Sequence, residues 1–343
     1  MKERIIHAVA PTRICDVGGW TDTWFSKAGT IFNIAILPSV EVQIRVGDPV
    51  PGSNDVLIHA ENYQESYRID PDVKPPGKHP LIEAALFDMK LPRECSLEVT
   101  IYSAAPPGAS MGTSAAVSVA LIGALNALTK NRLPAKEVAA LAHRLETEKL
   151  GLECGIQDQI ASAMGGVNLI EMISYPTSSV KKIEPAEKIL WELEQRLLLI
   201  YIGKPHQSSE IHQRVIADLG STPENDNRLE ALRKLSPQAA QNLLEGNLKG
   251  LGEIFNRNTD VQRALHPDLV CPDFEFIIET AFEHKAEGCK VNGAGGDGGS
   301  VAILCSTDMA EKRNLEKALL GKGYQSLPVQ LSPQGLRVWD NSF

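Results

Sequence analysis

A glycine-rich loop stands directly before an alanine-rich helical pattern at residues 106–116, PPGASMGTSAA. Gly108 and Gly112 carry no Cβ, so the backbone there can approach a ligand closely. The first turn of a following helix has unpaired N–H groups and a partial positive charge, which together stabilise a phosphate. Thr113 and Ser114 can cap that helix or ligate Mg²⁺ carried by a nucleotide. The loop therefore indicates either a capped helix or an anion site, and it lacks the lysine of a Walker A motif.

A second glycine cluster, NGAGGDGGS, covers residues 292–300. Its Gly293, Gly295 and Gly298 match the spacing GxGxxG, but the cluster runs into SVAILC, which reads as a strand. A dinucleotide-binding loop needs strand, loop and then helix, so we exclude that interpretation. A tight turn or a loop whose backbone approaches a ligand remains. Asp297 is unusual in a phosphate cradle because like charges repel.

Three acidic residues stand near the junction of two helical patterns. Glu146 and Glu148 end the first pattern, and Asp158 lies in the first turn of the second. A carboxylate is favoured at a helix N-terminus by the macrodipole, and acids at a helix end are often solvated. Asp158 can therefore be an ordinary helix-start acid, and the two glutamates can be surface residues.

An arginine and a carboxylate flank a glycine turn near the N-terminus, in APTRICDVGGWTDTW at residues 10–24. Arg13 follows a strand pattern, Gly18 and Gly19 mark a tight turn, and Asp22 stands between two threonines. This arrangement suits a polar small-molecule pocket, and it equally suits a structural ion pair.

The elements that must position these residues mix strands and helices without a regular alternation. The first hundred residues favour strands, among them RIIHAVAP, FNIAIL, VEVQIRV and SLEVTIYSA. Further strands are predicted at 196–203, 300–305 and 327–332, with a helix between the last two. Other helices are predicted at 114–129, 135–150, 155–164, 209–263 and 272–288. The pattern predicts an α+β fold and not a doubly wound sheet, with a domain boundary near residue 195.

Composition limits the classes of function. The 343 residues suffice for two or three domains, and the formal charge of −9 argues against nucleic-acid binding through a basic face. No apolar run reaches the roughly 18 residues of a membrane helix, and the N-terminus lacks the apolar core of a signal peptide. Six scattered cysteines without a CxxC pair fit a reducing compartment. We therefore expect a cytoplasmic protein whose partner is a small molecule, with no nucleic-acid or membrane partner.

Taken together, these stretches resemble the GHMP kinase superfamily, and they occur in the family's order. PPGASMGTSAA resembles the phosphate loop PxxxGLGSSAA, with Met111 in place of Leu and Thr113 in place of the first Ser. KVNGAGGDGGS resembles the third family motif, GAGGGG, from which Asp297 departs. CGIQDQ is similar to the galactokinase segment CGIMDQ, and the N-terminal stretch resembles the substrate-side motif.

The resemblance implies an α+β fold of two domains. Residues 1–195 would form an N-terminal domain of the ribosomal protein S5 domain 2-like type that carries the ATP loop. Residues 196–343 would form a ferredoxin-like C-terminal domain that carries the third glycine-rich motif.

The resemblance also implies roles for individual residues. Asp158 would be the base and Arg13 its catalytic partner, while Ser114 and Glu146, twelve residues before Asp158, would hold Mg²⁺. The ATP-binding residues would be Pro107, Gly108, Ala109, Ser110, Met111, Gly112, Thr113 and Ser114. The substrate-binding residues would be Gly18, Gly19, Thr21, Asp22, Asp158, Gly295 and Gly296.

The N-terminal motif narrows the expected acceptor. GGWTDT is more similar to the fucokinase and heptose-phosphate kinase branch than to galactokinases, although Trp24 and Phe25 replace the usual prolines. The implied reaction is ATP-dependent transfer to a hydroxyl, expected to be the anomeric one, of a sugar or sugar phosphate such as fucose or heptose 7-phosphate. A kinase of a mevalonate- or homoserine-like metabolite and a non-catalytic sugar or nucleotide sensor are the alternatives. His206, Ser208 and Ser209 form either a substrate-side loop or a plain surface loop.

Overall fold

The computed structural model describes residues 4–49, 55–73, 77–89, 91–92, 94–130, 132–204 and 208–341. The strands of this part of the chain are β1 (Arg4–Val17), β2 (Gly29–Gly47), β3 (Val56–Ala60), β4 (Glu65–Ile69), β5 (Ser96–Ser103), β6 (Val167–Ser174), β7 (Thr177–Lys182), β8 (Leu197–Tyr201), β9 (Gly288–Val291), β10 (Ser300–Leu304), β11 (Gln325–Leu327), β12 (Gln330–Leu331) and β13 (Arg337–Asp340). The α-helices are α1 (Pro80–Asp88), α2 (Thr113–Asn126), α3 (Ala135–Arg144), α4 (Gln157–Met164), α5 (Glu187–Arg196), α6 (Ser208–Leu219), α7 (Asn227–Glu245), α8 (Leu248–Leu265), α9 (Pro272–Glu283) and α10 (Met309–Leu320).

The described strands form two sheets. The larger sheet has the order β13-β1-β2-β5-β3-β4, and β6, β7 and β12 join it along β2. Its neighbours are antiparallel except for β3 and β5, which are parallel. The smaller sheet is antiparallel with the order β11-β8-β10-β9. The predicted α+β class is confirmed.

Strand β2 is long because it changes partners halfway. Residues 29–34 pair with β6, and residues 40–47 pair with β5. Pro38 lies between the two segments, where its missing N–H interrupts no ladder hydrogen bond. The two strands that the sequence predicts separately here, FNIAIL and VEVQIRV, are therefore one continuous strand.

Helix α2 is the buried centre of the first core. It is apolar on all sides, as expected for a helix enclosed by other elements, and its residues from Val119 to Leu125 are all fully buried. It packs on β1 and β2 and also contacts α1, α3 and α4. The N-terminus of α2 is consequently held in a fixed place against the larger sheet.

The C-terminal end of the described chain returns to the larger sheet. The smaller sheet begins at Leu197, next to the boundary predicted near residue 195, and ends at Leu327. Strands β12 and β13 then pair with β2 and β1. The two-domain division itself stays a prediction, and no single cut in the sequence separates the two sheets.

Several elements differ from the sequence-based expectations. The helical region predicted at 209–263 is three helices, α6, α7 and α8, separated at Gly220 and Gly246, both with positive φ. The hairpin β6–β7 and helices α1 and α5 were not predicted. None of the described helices combines the length and the apolar character that crossing a bilayer requires.

Candidate active site

The predicted phosphate loop ends at the first turn of α2. Gly112 precedes the helix with a φ of 69°, in the left-handed region that favours glycine, and no side chain caps the helix there. The hydroxyl of Thr113 is buried without a hydrogen-bond partner. The capped-helix alternative is therefore not what the structure shows, and the first-turn amides of a 14-residue helix are available to an anion.

A cavity of about 310 Å³ opens beside this loop. It brings together parts of the N-terminal motif, the phosphate loop, the segment from Glu146 to Gln159 and the glycine cluster at residues 292–300. This cluster resembles the third family motif and is called the third glycine-rich loop below. The wall of the cavity is formed by Arg13, Asp16, Trp20, Asp22, Thr23, Gly108, Ala109, Ser110, Met111, Gly112, Thr113, Ser114, Ala115, Glu146, Leu152, Glu153, Cys154, Gly155, Gln157, Asp158, Gln159, His212, Gly293 and Ala294.

Arg13 and Asp158 form a two-point ion pair on this wall. The Nε atom of Arg13 lies 2.8 Å from Oδ1 of Asp158, and the Nη2 atom lies 3.0 Å from Oδ2. The remaining Nη1 atom donates to the carbonyl of Ser110 in the phosphate loop. Burial disfavours the charged guanidinium, but the carboxylates of Asp158 and Asp16 outweigh it and raise the pKa of Arg13. Arg13 therefore stays charged and fixes the plane of the Asp158 carboxylate.

Asp158 lies directly against the phosphate loop. A Cβ built on Gly112 would come within 3.1 Å of the Asp158 carboxyl group. The side chain is 27% exposed, whereas that of Arg13 is 5% exposed. Because Gly112 has no side chain, the Asp158 carboxylate can lie beside the first turn of α2. Its partial exposure leaves it accessible to a ligand.

Asp22 is held at the start of the helix that carries Asp158. Its Oδ2 atom accepts a hydrogen bond of 3.0 Å from the backbone N–H of Gln157, the first residue of α4. A Cβ on Gly155 would come within 1.9 Å of the same oxygen, so only glycine fits there. Burial raises the pKa of Asp22 to about 7, and the Asp158 carboxylate adds to the rise. Asp22 can accordingly both donate and accept hydrogen bonds near neutral pH.

Glu146 is buried because the helix changes its winding at this point. Residues Leu145–Lys149 form a π-helical turn after α3, a device often found at functional sites. The turn directs Glu146 inward, with 5% exposure, while Glu148 is exposed. Burial raises the pKa of Glu146 to about 7. The hydrogen bond of 2.9 Å that Gln159 donates to Oε1 of Glu146 acts in the opposite direction and lowers this pKa, but its effect is smaller than that of burial. The solvated-face alternative is therefore wrong for Glu146 and right for Glu148.

The site has the donor set for a magnesium ion carried by a nucleotide. Glu146 is a buried carboxylate, and the Oε1 atom of Gln159 and the hydroxyl of Thr113 are buried without partners. Ser114 is exposed on the same cavity wall. Among the described residues no three His, Cys, Asp or Glu side chains cluster as metal ligands. Glu146 and Ser114 would suit Mg²⁺, which uses one or two protein oxygens together with phosphates and water.

A second cavity of about 360 Å³ lies on the phosphate loop beside the first. The two cavities share Gly108, Thr113 and Ser114. The second is lined by Ala60, Asn62, Tyr63, His79, Pro80, Leu81, Ile82, Ile101, Ser103, Ala105, Pro107 and Val117 as well. Among the predicted ATP-binding residues, Pro107 therefore lies on the second cavity, and those from Ala109 to Gly112 lie on the first.

The third glycine-rich loop reaches the cavity through its beginning. Gly293 and Ala294 line the first cavity. Gly295 packs against the carbonyl of Leu269, and Gly296 faces Ile211. The predicted Gly295 and Gly296 are not among the residues that line this cavity, and their part in substrate binding stays a prediction.

Asp297 has a location outside the first cavity. It lines two other depressions on the surface, in the neighbourhood of Cys271 and Pro272. This position explains how an acidic residue is tolerated in a loop that resembles a phosphate-side motif.

Gly18, Gly19 and Thr21, which the sequence predicted as substrate-binding residues, form the turn that precedes Asp22. The hydroxyl of Thr21 donates to the carbonyl of Gly18 at 2.7 Å, and Gly18 packs closely on Ser236 and Thr30. Gly19 packs against Asp16. These residues shape the turn that carries Asp22, and direct contact with a substrate stays a prediction for them. His206 lies outside the described residues, and Ser208 and Ser209 begin α6, with their side chains outside the description.

Several wall residues were not predicted from the sequence. Trp20 and His212 both line the cavity, and the centroids of their rings lie 4.7 Å apart. Trp20 belongs to the N-terminal motif and His212 to α6. Glu153 directly precedes the CGIQDQ segment and Gln159 is its last residue, so the motif could have drawn attention to both. Nothing in the sequence could have paired residues as distant as Trp20 and His212.

Comparisons with known proteins find two matching family models and several similar proteins. The family model GHMP kinases N terminal domain matches residues 81–166, and GHMP kinases C terminal matches residues 239–319. A mevalonate kinase of Pyrococcus horikoshii is 31% identical over 265 residues, 75% of this chain and 72% of the relative. A D-glycero-alpha-D-manno-heptose 7-phosphate kinase of Campylobacter jejuni is 26% identical over 247 residues, 71% of each chain.

A solved structure with a similar fold extends the comparison to nearly the whole chain. The D-glycero-D-manno-heptose 1-phosphate kinase of Bacteroides thetaiotaomicron has a TM-score of 0.78, covers 97% of this chain and 98% of its own, and is 22% identical. This similarity shows a common fold. The two family models lie in the order and place that the motifs predict. The chain belongs to the GHMP kinase superfamily and is a small-molecule kinase.

Proposed function

We propose that the protein transfers the γ-phosphoryl group of ATP, with Mg²⁺, to a hydroxyl group of a small sugar or sugar phosphate. The observation that carries this proposal is the position of Asp158, which lies against Gly112 of the phosphate loop and is held at two points by Arg13. A carboxylate fixed beside a helix N-terminus can meet both an acceptor hydroxyl and a phosphate. The anomeric hydroxyl is the expected acceptor, by resemblance to the sugar-kinase branch.

The chemistry follows from that geometry. The acceptor O–H gives its proton to the Asp158 carboxylate as the oxygen forms a bond to the γ-phosphorus. The bond between that phosphorus and the bridging oxygen breaks, and ADP leaves with the electron pair. Arg13 holds Asp158 in place and stabilises the charge that develops on the transferred group. Positioning of the two reactants supplies most of the remaining rate enhancement.

ATP would extend over the two cavities that share Gly108, Thr113 and Ser114. The second cavity, with Tyr63, His79 and Ile82 on its wall, suits a planar base, and the shared Gly108 leads to the first turn of α2. The phosphates would follow the loop from Gly108 to Ser114. Magnesium would be held by Glu146 and Ser114, with the unpartnered Thr113 hydroxyl in reach of the phosphates. When bound, the ion neutralises phosphate charge during transfer.

The acceptor is assigned to the part of the first cavity that Asp22, Trp20 and His212 line. Asp22 offers a carboxyl group that can donate as well as accept, which suits the hydroxyls of a polyol. Trp20 and His212 provide ring faces on the same wall. The heptose 7-phosphate kinase among the relatives and the GGWTDT motif favour a sugar. The mevalonate kinases among the relatives keep a mevalonate- or homoserine-like acceptor as the alternative.

A panel of acceptors tests the proposal. The purified protein is given ATP and Mg²⁺ with fucose, heptose 7-phosphate, galactose, mevalonate or homoserine, and ADP release is measured above the background without acceptor. We expect release with at least one sugar and none with mevalonate or homoserine. Release with only a non-sugar acceptor would overturn the choice of substrate class. No release with any acceptor would favour the non-catalytic sensor of sugar or nucleotide.

A further inference from the structure

A buried lysine lies next to the cavity and plays no direct part in the proposed chemistry. Lys290, in β9, has no exposed side-chain surface, and its Nζ atom lies 3.4 Å from Oδ1 of Asp16. The same ammonium group donates to Oε1 of Gln262 at 3.2 Å and to the carbonyl of Val291. A fully buried ammonium group is costly unless it is paired and hydrogen-bonded, so this site is built to hold one.

Asp16 connects this lysine to two groups of the cavity wall. Its Oδ1 atom lies 4.0 Å from Nη1 of Arg13. Both of its oxygens accept hydrogen bonds from the backbone N–H of Gly293, at 3.0 Å and 3.1 Å. Arg13 holds Asp158, and Gly293 begins the third glycine-rich loop. One carboxylate therefore contacts the catalytic arginine and the loop that faces it.

Other polar side chains join the same loops. Asn292 accepts a hydrogen bond from the backbone of Cys15 at 3.0 Å, and Asn258 accepts one from the backbone of Gly18 at 2.9 Å. The hydroxyl of Ser300 donates to the carbonyl of Ala109 in the phosphate loop at 2.6 Å. These hydrogen bonds tie the N-terminal motif, the phosphate loop and the third glycine-rich loop together, and Lys290 is connected to the same loops through Asp16.

The four charged groups alternate in sign, in the order Lys290, Asp16, Arg13 and Asp158. This order matters because Asp16 and Asp158 both face the guanidinium of Arg13. Lys290 neutralises Asp16, and Arg13 can then keep its two-point pairing with Asp158. Without the lysine, an uncompensated Asp16 would compete for Arg13 and draw it away from Asp158.

We propose that Lys290 and Asp16 are positioning residues, which act on phosphotransfer by holding Arg13 on Asp158 and Gly293 against the cavity. The expected effect on the phosphotransfer rate rests on the proposed function. The position of the Arg13 side chain is independent of that function, so it can be measured separately. A pair that served stability alone would leave Arg13 where it is when the protein is folded.

The variants Lys290→Met, Asp16→Asn and the double variant distinguish a positioning role from a contribution to stability alone. Lys290→Met leaves Asp16 uncompensated, and we expect kcat to fall about tenfold to a hundredfold while the KM for ATP changes little. Asp16→Asn leaves the ammonium group next to Arg13 and should also lower kcat. The double variant removes both charges, keeps an oxygen for the Gly293 amide and should recover much of the kcat that Lys290→Met loses.

A matched control is the buried Arg196, which pairs with Glu287 and donates to the carbonyl of Cys305, away from the cavity. Arg196→Met also breaks a buried ion pair, so it should lower the melting temperature and leave kcat unchanged. All rates are measured well below the lowest melting temperature of the set. Unchanged kcat in Lys290→Met, or a double variant no better than it, would overturn the proposal.

A spectroscopic measurement covers the case in which no tested acceptor is a substrate. Protein labelled with ¹⁵N-arginine gives a resonance for the Nε–H group of Arg13, which is assigned by its loss in Arg13→Lys. We expect slow solvent exchange of this proton in the wild type, fast exchange in Lys290→Met and slow exchange again in the double variant. Equal exchange rates in all three proteins would refute the positioning role without reference to activity.

Discussion

At the scale of single residues, the site depends on a few carboxyl groups whose surroundings differ. Asp158 is partly exposed and paired with Arg13, which suits a base that must meet a substrate. Asp22 and Glu146 are buried, and burial raises the pKa of each to about 7. The sequence predicted all three positions by motif resemblance, but it could not predict these differences, because burial depends on distant segments.

Removing the charge of Asp158 should abolish most of the activity. Asp158→Asn keeps the shape of the side chain but cannot accept the proton, so we expect kcat to fall about 10²- to 10⁴-fold with nucleotide affinity retained. Rates come from ADP release, and affinity comes from calorimetry with a non-hydrolysable ATP analogue. Asp226→Asn is the control, because Asp226 also pairs closely with an arginine, Arg228, but at the start of α7. Near-normal turnover of Asp158→Asn would remove it from the mechanism.

The raised pKa of Asp22 predicts a pH dependence of stability. The native carboxyl group titrates at about 7, whereas that of the unfolded chain titrates near 3.9, so the native state binds more protons between these values. The stability that protonated Asp22 contributes is complete below pH 4 and is lost as the pH rises to 7. Asp22→Asn has no carboxyl group to ionise here, so it lacks this loss of stability. Between pH 4 and pH 7 the unfolding free energy of the wild type should therefore fall relative to that of the variant by about 1 kcal/mol or more.

The measurement is denaturant unfolding of both proteins at pH 4, 5, 6, 7 and 8, without nucleotide. Only the difference between the proteins is interpreted, since other groups titrate in both. A difference that stays constant with pH, or that changes in the opposite direction, would show that Asp22 is ionised in the native state throughout.

At the scale of elements, the site is made by helix ends and glycine turns that bring backbone close to side chains. Gly112 ends the phosphate loop with positive φ, and the π-helical turn Leu145–Lys149 brings Glu146 inward. The sequence predicted that this helix begins at residue 114, one residue after its observed start at Thr113, because small hydroxyl residues and glycine mark the position. It did not predict the π-helical turn, since one extra residue in a helical turn leaves no clear mark on apolar periodicity.

Gly112→Ala should impair catalysis beyond its effect on folding. The added Cβ would strain a left-handed backbone and press on the Asp158 carboxyl group at 3.1 Å. We expect a loss of about 1–2 kcal/mol in stability and a fall in kcat of at least about tenfold. Gly220→Ala is the matched control, because Gly220 has a φ of 73° and no atom within 4 Å of its Cβ position. Unfolding and ADP-release rates are compared, and equal kcat in the two variants would contradict a tight Gly112–Asp158 contact.

At the scale of the whole molecule, the cavity exists because segments from both ends of the chain meet. Lys290 and Asp16 are 274 positions apart, and β13 returns to pair with β1. The sequence indicated the α+β class and the four motif stretches, since these are local signals. The return of β12 and β13 to the larger sheet and the Lys290 network were not predicted, because both depend on long-range pairing.

The charge of the cavity as a whole predicts a preference among acceptors. Its described wall carries the carboxyl groups of Asp16, Asp22, Glu146, Glu153 and Asp158. Arg13 and His212 are the basic side chains on that wall; Arg13 is paired with Asp158 and the buried Lys290 with Asp16, so Asp22, Glu146 and Glu153 are the carboxyl groups with no ion pair among the described residues. We therefore expect an unphosphorylated sugar to have a higher kcat/KM than the same sugar with a terminal phosphate, by about tenfold or more.

Matched pairs of a sugar and its terminal phosphate, compared by ADP release at low and high salt, measure this preference. Salt should narrow the difference if it is electrostatic. Glu153→Gln should narrow it as well, because it removes one charge from the wall. A phosphorylated acceptor that is preferred at all salt concentrations would show that a basic group outside the described wall holds the phosphate.

The central claim is that the phosphate loop, Glu146, Asp158 and the start of the third glycine-rich loop serve a single phosphotransfer event. The most direct test is a crystal structure with a non-hydrolysable ATP analogue, Mg²⁺ and an accepted sugar. The account predicts phosphates along residues 108–114, the ion at Glu146, and the acceptor oxygen within roughly 2.6–3.2 Å of Asp158. An analogue bound elsewhere, or an acceptor hydroxyl remote from Asp158, would contradict it.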